Sequence, residues 1–192
     1  MKRSHIVKLT MIVFFSLGSV GVVGGSFFLR RAFSSSSQSQ VITDISRYQE
    51  IRQQLWQNQE AIKHFPAEIP KDTENLRIAY SPGVSQASIF FQARLKQSPA
   101  EIQKLQKHYR KLAKHQYRGG NSNDHTTFPN GVPTTFFYTS DAGGDSFPPS
   151  YEILVLNAQD KGTPGFKWNH GNSYGVAIDN TSSEIVYWSE AW

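Results

Sequence analysis

A run of 21 residues without a charge, LTMIVFFSLGSVGVVGGSFFL at 9–29, lies between Lys2, Arg3 and Lys8 on one side and Arg30 and Arg31 on the other. As a helix it measures about 31 Å at roughly 1.5 Å per residue, the thickness of a bilayer core. The run divides the chain. Residues 1–31 read as an N-terminal membrane anchor with basic flanks, 32–42 as a Ser/Gln-rich tether and 43–192 as one domain.

A cleaved signal peptide is the alternative to a retained anchor. Val23 and Gly25, or Ala32 and Ser34, supply small residues for a cleavage site. Such peptides have apolar cores of roughly 7–15 residues, however, and this run ends in Phe27-Phe28-Leu29-Arg30-Arg31, a stop-like pattern. Three cations before the span against two after it favour a cytoplasmic N-terminus, with the main domain extracytoplasmic. The membrane is therefore the first partner the sequence implies, through residues 9–29. An envelope protein or polymer is the second.

Charge removes a nucleic-acid partner from consideration. Residues 1–31 carry five Lys/Arg and no acid, whereas 32–192 carry fifteen of each sign. The excess cations belong to the membrane flanks. With no cysteine, a disulfide, a thiolate metal site, a cysteine nucleophile and a lipoprotein anchor are all excluded. No motif calls for a cofactor or a metal. His108 and His115 are seven apart, unlike the usual i, i+4 ligand pair. Asp141-Ala-Gly-Gly-Asp145 lacks the alternating ligands of a calcium loop and reads as a turn.

The expected fold is α+β: a single N-terminal transmembrane helix, then a domain with a mostly antiparallel sheet and two helices, one sheet face being covered. A first helix of about 20 residues starts at Thr43 or Asp44, presents Ile45, Tyr48, Ile51, Leu55 and Ile62, and stops near Phe65-Pro66. Strands are expected at 76–81 and 87–96 around the Pro82-Gly83 turn. Ser98-Pro99-Ala100-Glu101 opens a second helix with Ile102, Leu105, Tyr109 and Leu112 along one stripe. Residues 118–133 form a loop, which includes Asp124 and His125. Further strands are expected at 134–139, 151–158, 173–178 and 184–188, the last two joined as a hairpin through Asp179–Ser183.

Functional candidates concentrate in Phe166–Gly175, FKWNHGNSYG. Trp168 and Tyr174 offer stacking surfaces, Asn169 and Asn172 hydrogen bonds, and His170 a group that titrates near neutrality. The candidate binding residues are thus Trp168, Asn169, His170, Asn172 and Tyr174. The same segment also reads as a connection whose polar side chains satisfy its own backbone. A hydrolase-like enzyme would pair His170 with a carboxylate such as Asp179 or Glu190. No catalytic motif supports it, so a non-catalytic binding or accessory module is preferred. The cations Lys104, Lys107, Arg110, Lys111 and Lys114, with Arg118 beyond, form either a solvated helix face or a surface for anionic lipid. The closing Tyr187–Trp192 reads as packing for the last strand.

His64-Phe65-Pro66 with Glu68-Ile69-Pro70, Tyr80-Ser81-Pro82-Gly83, Trp168-Asn169-His170-Gly171 and Glu184-Ile185-Val186-Tyr187-Trp188 resemble motifs in a group of bacterial membrane-anchored or exported proteins. The resemblance covers about residues 50–192. It implies an anchored or exported domain and carries no activity.

Overall fold

Six strands form one antiparallel sheet in the order β1-β2-β6-β5-β4-β3 in a computed structural model. The structure describes residues 41–192 except 72, 84–87, 121, 122 and 124. The apolar run at 9–29, most of the tether and Asp124 lie outside the described residues. The strands are β1 (Glu74–Ser81), β2 (Ile89–Lys96), β3 (His115–Arg118), β4 (Glu152–Asp160), β5 (Gly171–Asp179) and β6 (Glu184–Ala191). With two helices, α1 (Tyr48–Glu50) and α2 (Pro99–Leu112), this is an α+β domain.

Period-two alternation sends successive side chains to opposite faces. On one face, Ile78, Phe91, Ala93, Leu95, Leu154, Val176, Ile178, Ile185 and Tyr187 pack against the helical elements. On the other, Ile153, Ala177 and Val186 pack under Phe137, Phe147 and Tyr151, and Val155 and Trp188 under Val132. Both faces are therefore covered, where the sequence suggested one. The second cover is the long connection between β3 and β4.

That connection contains 134–139, expected as a strand and found without strand pairing. Its backbone is held by side chains from the sheet. Gln92 donates to the Phe136 carbonyl (2.9 Å) and accepts from the Thr139 N–H (2.9 Å). Within the connection itself, the Phe137 N–H donates to the Asp145 backbone carbonyl (2.9 Å). A buried glutamine takes the place of a neighbouring strand.

The first helix is also different from the expected one. Asp44 caps a 3-10 turn (Ile45–Arg47), α1 follows, and a π-turn (Ile51–Leu55) ends at Trp56 in extended backbone. Asn58 then caps a second 3-10 turn (Gln59–Ile62). Leaving helical geometry at Trp56 seats its ring beside Tyr80 and Phe91, both 6.4 Å away. Tertiary packing overrides the helical periodicity here. Ile45, placed on the apolar face by periodicity, is exposed.

Helix α2 follows its sequence signal. The Ser98 hydroxyl accepts from the Glu101 N–H (3.3 Å) and Pro99 occupies the first turn. Ile102 and Tyr109 are buried and Leu105 half-buried, whereas Leu112, expected on the same stripe, is exposed at the end of the helix. Strand β3, which was not expected, follows at once and pairs with β4. The β5–β6 hairpin forms, with Asp179 opposite Glu184.

Candidate functional site

The β4–β5 connection is built from inside by its own polar groups. Asp160 Oδ1 accepts from the Gly162 N–H (2.8 Å) and the Trp168 N–H (3.0 Å). Asn169 Oδ1 accepts from the Thr163 N–H (3.2 Å). The Lys161 N–H donates to the His170 carbonyl (2.8 Å), closing the base of the loop. Asn169 is thus a framework residue, as the connection reading of the sequence had it.

Trp168 has a positive φ of 62°, an uncommon backbone state for a bulky residue. Besides the Asp160 bond, Trp192 holds it there. The Trp192 indole N–H donates to the Trp168 carbonyl (2.9 Å), and the two rings lie 6.4 Å apart. Trp168 is half-buried and its ring reaches the Val132–Val155–Trp188 cluster on the loop-covered face. Next to it, Phe166 is 68% exposed, the most exposed large apolar residue described, and Lys161, Lys167 and His170 are exposed as well.

Asn172 and Tyr174 do not join this surface. Asn172 is buried, and Tyr174 stacks at 5.5 Å on His64, on the helix-covered face. The five candidate residues thus divide between loop and strand, and between the two faces. Gly175 explains part of this arrangement. A side-chain carbon there would lie 2.2 Å from the Leu154 carbonyl, so only glycine permits the strand contact. The Gly175 carbonyl in turn accepts from His64 Nε2 (2.9 Å).

Neither suggested carboxylate is presented to His170. Asp179 is at the far end of β5, about 27 Å along the strand from Gly171. Its oxygens accept from Ser150, Thr181 and Ser182, which hold the hairpin. Glu190 is buried, accepting from Thr135 (2.6 Å) and Tyr138 (2.9 Å). Burial raises its carboxyl above the usual range, against the lowering effect of both hydroxyls. His64, which the sequence reading did not single out for chemistry, has its pKa shifted by the fold. Burial pushes it down to about 4, opposed by the Gly175 and Trp188 carbonyls. Its signal was the His64-Phe65-Pro66 motif.

An open groove of about 550 Å³ lies at the opposite end of the sheet, lined by Gln106, Arg110, Gln116, Arg118, Tyr151 and Glu152 among others. Arg110 is paired with Glu152 at 2.9 Å. Of the basic residues on and after α2, Arg110 and Arg118 line this groove, a placement periodicity did not indicate. Among the described residues no group of three or more His, Asp or Glu is arranged to hold a metal, and no helix is long and apolar enough to cross a membrane. No family model, curated protein or solved structure matches the chain.

Proposed function

We propose that this chain is a single-pass, membrane-tethered, non-catalytic binding module of the cell envelope, with its N-terminus cytoplasmic, its domain extracytoplasmic and loop 161–170 as its recognition surface. One observation carries the reading: an exposed Phe166, flanked by exposed Lys167 and His170, on a loop whose backbone is fixed by Asp160 and Asn169. A rigid scaffold presenting an exposed aromatic is a common arrangement for binding. The tether reading rests on the uncharged run at 9–29. The motifs resembling those of bacterial anchored or exported proteins point the same way.

The test uses the full chain. It should remain with membranes through carbonate extraction, and protease added to intact spheroplasts should digest the domain. Phe166→Ala and His170→Ala should leave the melting midpoint unchanged and reduce cross-linking to envelope components. A mature N-terminus near Ser26 or Ser35 would replace the anchor with a cleaved signal peptide. Unchanged cross-linking by both variants would remove the loop from the recognition surface.

A further inference from the structure

Val41 enters the described residues beside the end of β1. Ile42 and Tyr80 exchange two backbone hydrogen bonds, 2.8 and 3.0 Å, in an antiparallel bridge. Moving from Ile42 toward the N-terminus therefore follows β1 from Tyr80 toward Ser81. Val41 thus lies at the end of the sheet at which β1 finishes and β2 begins.

Register identifies what else lies at that end. Ile89 is opposite Ala191, Ala191 opposite Asn172 and Asn172 opposite Gln159. Gly171 and Trp192 exchange two hydrogen bonds just beyond, where the 161–170 loop leaves and rejoins the sheet. Strand spacing puts that loop about 14–19 Å across the sheet from the β1 edge. The hairpin turn at Thr181 and the polar groove are at the other end.

This end has a distinct surface. Val41 (45%), Ile89 (39%) and Phe166 (68%) are three of the exposed large apolar residues of the domain. Lys161 and Lys167 are exposed, and among the described residues neither is in an ion pair. Eleven residues, 30–40, separate Val41 from the apolar run, a reach of at most about 40 Å.

Building on the tethered-module reading, we infer that loop 161–170, with Phe166 at its tip, docks on the anionic phospholipid surface of the membrane that holds the anchor. Phe166 enters the headgroup–acyl boundary, where an aromatic ring loses contact with water. Lys161 and Lys167 meet lipid phosphates, each adding electrostatic attraction that salt screens. The tether supplies the proximity that makes such a small contact sufficient.

The absence of cysteine gives a direct test. Phe166→Cys and Thr181→Cys are each spin-labelled in the full chain, in vesicles of phosphatidylcholine with phosphatidylglycerol. The label at 166 should lose accessibility to a water-soluble nickel complex and gain it to oxygen, whereas the label at 181 should stay exposed to nickel. In the unlabelled chain, phospholipid brominated near the headgroup should quench tryptophan emission, and Phe166→Asp should diminish the quenching. Equal nickel accessibility at 166 and 181 in carbonate-resistant vesicles would overturn the docking and leave the tether intact. Release of the chain by carbonate would overturn both.

Discussion

Arg94, in the middle of β2, reaches Glu184 at the start of β6 at 2.7 Å, and both side chains are largely buried. The same guanidinium donates to the Thr139 carbonyl (3.1 Å) and to Asp141 (2.9 Å), and lies 5.5 Å from the centre of the Phe137 ring. Glu184 accepts in turn from the Tyr151 hydroxyl (2.5 Å). One cation thus fastens the connection between β3 and β4 onto the sheet. Arg94→Ala leaves Glu184 buried without its partner, and should cost about 3 kcal/mol or more in urea melts. Arg47→Ala, which breaks an exposed pair with Glu50, should leave the melt unchanged.

His64 makes stability depend on mild acid. Its folded pKa of about 4 lies below the ordinary 6.5, chiefly through burial, so the unfolded chain takes up the proton first. Stability should therefore fall as pH drops from about 6.5 to about 4, by at most roughly 3 kcal/mol from this residue. His64→Gln keeps a donor for the Gly175 carbonyl and should flatten that part of the profile. Thermal midpoints measured across the interval check it.

Glu190 acts with the opposite sign. Burial raises its folded pKa above the ordinary 4.5, so the native state binds the proton more tightly than the unfolded chain. Its contribution is greatest below about 4.5 and is lost as pH rises through the folded value. Glu190→Gln, neutral throughout, should gain stability over the parent at neutral pH and show a steeper loss on acidification, because His64 then titrates unopposed. The same pH series of melts reads this directly.

Local signals explain which parts of the fold were legible. Ser98-Pro99 determines a helix start from four consecutive residues, and strands β2, β5 and β6 carry enough apolar residues to be recognised alone. Segment 134–139 has the composition of a strand, but its conformation depends on Gln92 and Arg94, more than 40 residues away. No periodicity encodes that. The break at Trp56 has the same origin, in a pocket between Tyr80 and Phe91 that forms only in the folded chain. At the candidate site, composition singled out one stretch, and the fold divides its residues. Asn169 proved to be framework, Asn172 and Tyr174 belong to the sheet, and the most exposed residue, Phe166, stood just outside the candidate set.

Trp168 and His170 are close in sequence and differ in what holds them, so the two truncations should separate. Trp168 is half-buried, contacts Trp192 and the Val155–Trp188 cluster, and occupies a left-handed backbone position. A fully buried tryptophan cut to alanine costs about 3–5 kcal/mol, and roughly half of that is expected here. Trp168→Gly should cost less than backbone loosening alone implies, because glycine adopts a φ of 62° without strain. His170 is exposed, with its carbonyl rather than its ring in the loop's hydrogen bonding, so His170→Ala should stay within about 0.5 kcal/mol of the parent. Denaturant melts of the three variants give the order. A His170→Ala loss as large as that of Trp168→Ala would mean that the imidazole supports the loop, and the exposed surface would then reduce to Phe166 and its lysines.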